Sequence, residues 1–216
     1  MEKYKKLKEL LSDCENQQAV NNYISYCKSS ERQKDKSGKL KNPQFAKCDE
    51  EKLAELFRKV EKEGMYIDGK HITIQYNGIN YDYVAYKNKM LIAYPETMLD
   101  LQLVYKEDEF TLSKNSGKVV YNHEIHNPFE QKDDLIVGGY CVIKNKRGEF
   151  VTTLTRLDFD KHKKAAKTSY IWNSWYVEMC LKTLIKKAVK YHFEDIFNEM
   201  ETEDEKNFDL KPETLN

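Results

Sequence analysis

The sequence has no hydrophobic run long enough to cross a membrane. Its longest apolar stretch, residues 135–143, contains two glycines, and a membrane-spanning helix needs roughly 20 apolar residues. The first residues, MEKYKKLKELL, are charged throughout and lack the apolar segment and small-residue cleavage site of a secretory signal. We therefore expect a cytoplasmic protein with no membrane partner.

Paired cysteines are also absent. The five cysteines are an odd number, and no Cys-x-x-Cys pair occurs among them, which argues against a disulfide framework and against a structural zinc knuckle. We predict reduced thiols at all of these positions. Cys141 and Cys180 lie in apolar patterns, where a free cysteine usually packs as a small hydrophobic side chain.

Nucleotide and metal motifs are missing too. The nearest approach to a P-loop is residues 64–71, but His71 stands where a hydroxyl should bind magnesium. A helix is predicted before this segment and a strand after it, which is the reverse of the P-loop order. His123 and His126 are three residues apart in a predicted strand, so they point to opposite faces. No catalytic residue, metal site or ATP use is predicted.

Net charge is absent as well, but the charges are unevenly placed. The 36 basic and 36 acidic residues give a formal net charge of 0. Residues 161–193 hold eight lysines and Glu178, or 8 − 1 = +7, whereas residues 194–216 hold two lysines and nine acidic residues, or 2 − 9 = −7. This segregation predicts a basic working surface beside an acidic tail that covers it, recruits a partner or keeps the protein in solution.

The most informative segment is residues 172–191, whose spacing predicts an amphipathic helix. One face is predicted to pack against the core, and it carries Val177, Cys180, Leu181, Leu184, Ala188 and Tyr191. The other face carries Lys182, Lys186 and Lys190, about one helical turn or roughly 6 Å apart, with Trp175, Met179 and Thr183 on the same side. This rise can follow a polyanionic backbone, but from spacing alone it is more typical of the solvated side of a surface helix.

The first part of the chain is predicted to be helical. Residues 3–27 have a helical pattern, and residues 28–44 are polar, basic and poor in apolar side chains, so we expect a mobile linker. Asp49 can cap a helix that runs to about Lys62 and stops at Gly64.

Further along the chain, the hydrophobic period changes to two, which predicts a mostly antiparallel sheet. The predicted strands are 71–76, 79–86, 99–105, 109–113, 118–125, 135–143 and 149–155. Two helices, at about 158–168 and 174–193, are expected to pack on this sheet. The fold class is therefore α+β, a mostly antiparallel sheet packed against helices, with an N-terminal helical arm and a C-terminal basic helix pair.

Several motifs in this order resemble those of the RecT family, phage recombination proteins that anneal single strands. Trp175, Met179, Lys182 and Thr183 match its characteristic helix. Upstream, residues 101–110, His126 with Pro128, residues 140–148 and residues 154–169 also resemble the family pattern. The resemblance covers about residues 45–193. We expect 1–44 to be an N-terminal helix and basic linker, 45–193 the RecT-like DNA-binding core, and 194–216 an acidic tail.

The chain departs from the family at two points. The glycines on either side of the family's Tyr-Arg/Lys pair are replaced by Ala85 and Asn88, around Tyr86 and Lys87. The proline usual after the characteristic helix is replaced by His192-Phe193. These differences indicate a divergent member.

The resemblance and the charge pattern together indicate which side chains would contact DNA. The predicted contacts to the DNA backbone are Lys87, Lys89, Lys144, Arg147, Arg156, Lys161, Lys164, Lys182, Lys186, Lys187 and Lys190. The predicted base-stacking or groove-lining residues are Trp175 and Tyr86.

The resemblance implies an ATP-independent protein that binds and anneals single-stranded DNA for homologous recombination. It implies a homo-oligomeric ring or filament, with the N-terminal helix as a protomer contact, and a phage- or prophage-encoded protein in a bacterial host. Its expected partners are single-stranded DNA, the annealed duplex, a phage exonuclease and a host single-strand-binding protein. No cofactor is implied, and Mg²⁺ would act only as a counterion of DNA.

Two other functions stay open at this point. The basic face could bind acidic protein partners without any catalysis. Alternatively, acidic runs such as Asp133-Asp134 and residues 107–109 could form a magnesium-dependent nuclease site if the fold gathered them. The sequence predicts turns there, so the nuclease is the weaker alternative.

Overall fold

The computed structural model describes residues 2–42, 45, 48–75, 78–115, 118–166, 169–197 and 200. Within these residues the chain forms two compact units, one within residues 1–85 and the other within residues 86–201. The α+β class is confirmed, and every strand pair described is antiparallel. The boundaries predicted at residues 44 and 193 stay a prediction. Among the described residues, no helix is both long enough and apolar enough to cross a membrane.

In the described residues, the first unit contains helices and a β-hairpin. The helices are α1 (Glu2–Leu10), α2 (Gln17–Arg32) and α3 (Glu50–Lys62), and the hairpin strands are β1 (Ile72–Gln75) and β2 (Gly78–Tyr81). The largest fully buried side chains of this unit are Leu7, Leu11, Tyr23, Phe45, Leu53, Phe57 and Ile67. The aromatic rings of Tyr23 and Phe57 lie 5.0 Å apart, so α2 and α3 share this core.

A single helix over residues 3–27 is a wrong prediction, because the chain turns between Leu10 and Gln17. The Asn16 side chain accepts a hydrogen bond from the Ala19 amide, which caps α2 and satisfies one of the free amide groups at its start. The amide nitrogen of the Gln17 side chain also donates to carbonyl groups of the turn. These polar side chains favour a helix start over helix continuation.

The described part of the predicted linker has regular structure. Helix α2 continues to Arg32, and Lys34 and Leu40 form an isolated antiparallel bridge. The Asp35 carboxylate accepts hydrogen bonds from the Ser37 amide, the Ser37 hydroxyl and the Lys39 amide. This is a side-chain-supported turn of the kind that Asp commonly makes. Residues 43 and 44 lie outside the described residues.

The helix predicted after Asp49 is confirmed. The Asp49 carboxylate accepts from the Lys52 amide at 2.7 Å, and α3 ends at Lys62, two residues before Gly64. The apolar face of α3 is buried, namely Leu53, Leu56, Phe57 and Val60.

The strand predicted for residues 79–86 is only half correct, because β2 ends at Tyr81 and a helix, α4 (Tyr83–Ala93), follows. The Asp82 carboxylate accepts hydrogen bonds from the amides of Val84 and Ala85. This cap starts a helix where alternating tyrosines predict a strand. Helix α4 contains the boundary between the two compact units.

The second unit contains a three-stranded sheet and a separate hairpin. The sheet has the order β3 (Met98–Tyr105), β6 (Ile136–Asn145) and β7 (Gly148–Thr155), and the hairpin pairs β4 (Glu109–Asn115) with β5 (Lys118–Glu124). Phe110 and Tyr121 of the hairpin pack against the buried Tyr140 of β6. The single continuous sheet suggested by the period is thus divided, with three sheets in the described part of the chain.

The C-terminal helices are α5 (Arg156–Ala165), α6 (Ser169–Ser174), α7 (Tyr176–His192) and α8 (Glu194–Phe197). Helix α7 packs on all three strands of the sheet. A Cβ atom at Gly139 would lie 3.0 Å from Leu184 Cδ2 and 2.9 Å from the Gln102 carbonyl oxygen. The absence of a side chain at Gly139 therefore allows the close approach of helix and sheet.

All five cysteines are free, as predicted, and all five are buried, although burial is predicted only for Cys141 and Cys180. Burial raises the pKa of the Cys180 thiol to about 12, and it also raises the pKa of Cys141 to about 12. Both thiols are therefore neutral at physiological pH and serve as apolar packing groups.

Candidate nucleic-acid interface

Helix α7 presents its lysine stripe away from the sheet. Its buried residues are Tyr176, Cys180, Leu184, Ile185, Ala188 and Val189. Lys182 and Lys186 are half-buried and Lys190 is exposed, so the predicted division of the helix into two faces is largely correct. Tyr191 is the exception, because it is 78% exposed at the end of the helix.

Trp175 lies at the junction between α6 and α7. Its backbone angles, φ −138° and ψ 49°, are not helical, although its amide donates to the Ile171 carbonyl and its carbonyl accepts from the Met179 amide. The indole is 59% exposed, and Tyr170 of α6 is 75% exposed. Trp172 instead is buried and packs its ring against Tyr176. The junction therefore holds one tryptophan in the core and leaves the other accessible.

Helix α5 adds basic side chains near this junction. Lys161 and Lys164 are exposed, and the Lys163 ammonium lies 5.4 Å from the centre of the Tyr176 ring. The Tyr176 hydroxyl donates to Asp160 at 3.3 Å. These contacts join the start of α7 to α5, so the lysines of α5 and the Trp175 junction belong to one surface.

Arg156, one of the predicted DNA contacts, binds several groups of the protein itself. Its guanidinium donates to the carbonyl groups of Asp133 and Ile136 and to the Asp160 carboxylate. It also lies 4.8 Å from the centre of the Tyr176 ring. Arg156 therefore holds α5 and α7 to the start of β6, and its role is structural.

Arg147 is similarly occupied. Its Nη1 atom lies 2.9 and 3.1 Å from the two carboxylate oxygens of Asp195, and its Nη2 atom donates to the His192 carbonyl. The guanidinium carbon is 4.8 Å from the centre of the Phe193 ring. This side chain ties the β6–β7 turn to the segment between α7 and α8.

We expect Arg147→Ala and Asp195→Ala to be coupled in a double-mutant cycle by up to about 1 kcal/mol, the usual range for a partly exposed ion pair. Urea unfolding of the two single variants and the double variant measures this coupling. The salt dependence of DNA binding should be unchanged in Arg147→Ala. A slope lower by roughly 0.7 would instead show a phosphate contact.

The remaining predicted residues are dispersed. Lys144 is exposed on β6, and Lys87 is half-buried on α4. Lys89 is only 9% exposed and Tyr86 only 3%, and the Tyr86 ring stacks on Phe197 with centroids 5.9 Å apart. Burial makes Lys89 unsuitable for a phosphate contact and Tyr86 unsuitable for stacking on a base. We leave both out of the interface.

Asp108 and Phe110, which match the family pattern, lie at the start of the β4–β5 hairpin, on its side that faces β6. The Asp108 side chain is completely buried and His123 is 5% exposed, with 3.1 Å between Asp108 Oδ2 and His123 Nε2. His123 Nδ1 lies 3.2 Å from the Tyr140 hydroxyl. The amides of Tyr105 and His126 also donate to Asp108. These contacts join β3, β5 and β6, so Asp108 has a structural role.

The pKa of Asp108 is set by opposing effects. Burial alone raises it, but the hydrogen bonds from the Tyr105 amide, His123 and the His126 amide together hold the pKa below its usual value. A carboxylate with a lowered pKa stabilises the folded state above the usual pKa of about 3.9. That contribution is lost as the pH falls through the lowered value.

Replacing Asp108 with asparagine is therefore expected to lower the free energy of unfolding at pH 7 by about 1 to 3 kcal/mol, because a buried charge-assisted network loses an acceptor. The difference from the wild type should shrink as the pH falls below about 4. Denaturant unfolding at pH 7 and below about pH 4 measures this difference in the free energy of unfolding. The control is Asp134→Asn, at an exposed position. A constant difference at both pH values would contradict the role given to the charge.

The P-loop-like segment has a different function in the fold. It follows α3 and precedes β1, in the order expected from the sequence. The Asp68 carboxylate accepts hydrogen bonds from the amides of Lys70, His71 and Ile72. Because the Asp68 side chain already accepts from these amides, they are not available to bind a phosphate, and the loop does not resemble a phosphate-binding loop.

Metal-binding groups are not gathered in the described part of the chain, where no three His, Cys, Asp or Glu side chains could share an ion. The His123 side chain is buried and His126 is exposed. Strand β5 ends at Glu124, so His126 lies outside the strand in which both residues are predicted.

Comparison with known proteins gives one finding. The sequence pattern that defines the RecT family matches residues 30–215 of the chain. This range covers the whole interface described above. Comparison with curated proteins and with solved structures gave no match.

Proposed function

This chain belongs to the RecT family, and on that premise we propose that it anneals DNA strands without ATP, holding the backbone in a basic groove of an oligomer. Family membership identifies a single-strand annealing protein of recombination. Independence from ATP, the basic groove and the oligomer are proposals that rest on charge, electrostatics and avidity.

The observation that supports this proposal is the surface formed by α5 and α7, which we name the basic strip. It comprises Lys161, Lys164, Lys182, Lys186, Lys187, Lys190 and Trp175. The lysines of α7, from Lys182 to Lys190, extend over about two turns of the helix, or roughly 12 Å, and Lys161 and Lys164 of α5 add to them. This extent suits a polymer better than a small anion. The exposed indole of Trp175 lies at the junction of α6 and α7.

The strip could promote pairing by simple electrostatics. Lysines that neutralise phosphates release counterions and reduce the repulsion between two strands. Base pairing itself supplies the free energy of annealing, so neither nucleotide hydrolysis nor a catalytic residue is required. Contacts to backbone and to base faces carry little sequence information, which predicts binding that is independent of sequence.

Self-association belongs to the same proposal. When one strand runs across several protomers, each site adds to the avidity of the others. A weak contact per protomer then suffices to hold a long strand. We propose an exonuclease that produces single strands and a host single-strand-binding protein as partners, and Mg²⁺ only as a counterion of DNA.

Trp175→Ala is expected to lower the affinity for single-stranded DNA about fivefold or more, since stacking of a base on an aromatic ring contributes about 1 to 3 kcal/mol. Fluorescence anisotropy with a labelled oligonucleotide measures the change. Trp175→Phe should keep most of the affinity, because it retains a stacking face. Equal affinity of Trp175→Ala and the wild type would remove the indole from the interface.

A further inference from the structure

One apolar side chain of the second unit is presented entirely to solvent. Phe129 is 100% exposed, in the loop between β5 and the short 3₁₀ turn at Asp133–Leu135. We name residues 125–131 the Phe129 loop. Scattered apolar residues on a surface are ordinary, but a fully exposed phenylalanine costs hydration free energy that burial against a partner would recover.

The Phe129 loop is held in a defined conformation. Asn127 has φ 52°, the one positive φ outside glycine in the described chain, which is an uncommon and strained backbone conformation. The Asn127 side chain donates to Glu107 at 2.9 Å, and the Glu130 amide donates to the Asn127 carbonyl at 2.9 Å. The His126 amide donates to the buried Asp108. Because hydrogen bonds fix the loop on both sides of Phe129, the ring is already held in position before a partner binds. Binding then costs little conformational entropy.

The surroundings of Phe129 are acidic. Residues 124–134 contain four carboxylates, on Glu124, Glu130, Asp133 and Asp134, against Lys132 alone, or 1 − 4 = −3. Asn127 holds a further carboxylate, that of Glu107, against the loop. This charge repels a phosphate backbone and favours a partner that is apolar at its centre and basic at its rim.

A surface with those properties occurs on the first unit, in the groove between α1 and α2. Its volume is about 680 Å³, and the residues that line it are Glu2, Tyr4, Lys5, Lys8, Asn21, Ile24, Ser25 and Lys28. Tyr4 and Ile24 form the apolar floor, while the lysines lie on the rim. The Lys28 ammonium lies 5.5 Å from the centre of the Tyr4 ring. Three lysines against Glu2 give the rim a net charge of 3 − 1 = +2.

We propose that Phe129 of one copy of this chain docks in the α1–α2 groove of a second copy. The aromatic ring would meet the apolar floor, and the carboxylates around it would meet the rim lysines. Since the two surfaces differ, the contact is heterologous, and repetition of it adds copies in a row until the row closes or extends as a filament. The inference rests on the self-association in the proposed function and assigns surfaces to it.

Sedimentation velocity without DNA tests the contact. Phe129→Ala should weaken self-association roughly 30-fold, as expected for an aromatic anchor in a pocket. Leu157→Ala, which removes a side chain that is 64% exposed on α5, is the matched control and should associate as the wild type does. Unchanged association of Phe129→Ala, or a wild type that is monomeric both without and with DNA, would overturn the proposal.

A charge exchange tests the pairing of the two surfaces. Lys5→Glu with Lys8→Glu, and separately Glu124→Lys with Glu130→Lys, should each weaken association, because each places like charges across the contact. An equimolar mixture of the two variants should associate again, since both contacts between them are complementary. The unchanged acidic loop meets the unchanged basic groove, and the basic loop meets the acidic groove. Failure of the mixture to associate, with both variants folded by circular dichroism, would contradict the pairing.

Photo-crosslinking locates the occupant of the groove directly. A benzophenone amino acid at position 129 should crosslink to residues 2–32 of another copy, which mass spectrometry identifies. Crosslinks only to DNA, or only to other parts of the protein, would overturn the proposal. Annealing is measured separately on the same samples. Loss of annealing with intact association would contradict the proposed function and leave the interface standing. Loss of the crosslink from position 129 with intact annealing would contradict the interface and leave the proposed function standing.

Discussion

Replacing Gly69 with alanine is expected to lower the free energy of unfolding by roughly 2 to 5 kcal/mol, the sum of backbone strain and overpacking. Gly69 has φ +73°, and a Cβ atom there would clash with the Tyr26 ring. The ring cannot easily move away. Its hydroxyl accepts a hydrogen bond from the Ile74 amide at 3.0 Å, and the ring makes a T-shaped contact with Phe45.

Gly38 offers a matched control. It has φ +81°, but nothing lies within 4 Å of the position its Cβ would occupy. Gly38→Ala should therefore cost only the backbone strain, about 1 to 2 kcal/mol. Urea unfolding of both variants gives the difference. Equal losses in the two variants would show that the contact between the loop and Tyr26 is not close.

Replacing Lys182, Lys186 and Lys190 together with alanine is expected to weaken single-strand binding roughly 100-fold at 0.1 M salt. Each lost phosphate contact lowers the slope of log affinity against log salt by roughly 0.7 on single strands. Three contacts therefore lower it by about 2. The loss follows from the proposed location of the DNA on the basic strip.

The control for this experiment is a set of three exposed lysines away from α7, namely Lys106, Lys118 and Lys132. Their replacement removes the same charge from the protein but should leave the slope unchanged. Titrations at several salt concentrations measure both variants, with circular dichroism to show that they are folded. An unchanged slope in the α7 variant would exclude this helix from the DNA site.

Local signals in the sequence predicted some elements well. Helix α3 was predictable because Asp49, the buried stripe and Gly64 all indicate the same boundaries. The sequence does not reveal the break between α1 and α2, because both sides of the turn keep a helical pattern. The alternating tyrosines of α4 are typical of a strand, whereas the Asp82 cap that starts this helix depends on backbone geometry.

The candidate site was harder to predict, because sequence does not show which charges are already paired. Arg147 and Arg156 are of the residue type that binds DNA phosphates, but each already binds groups from a distant part of the chain. Tyr86 lies next to the family-like Lys87 and is nevertheless buried. The lysines of α7 were predictable, since helical periodicity alone places them opposite the buried face.

The central claim is that this protein accelerates pairing of single strands without nucleotide. The most direct test mixes two complementary oligonucleotides, one with a fluorophore and one with a quencher, with and without the protein and in the absence of ATP. A gel checks that the strands stay intact. We predict faster quenching with intact strands. Binding without acceleration would contradict the claim in favour of a passive binding module, and shortened strands would contradict it in favour of a nuclease.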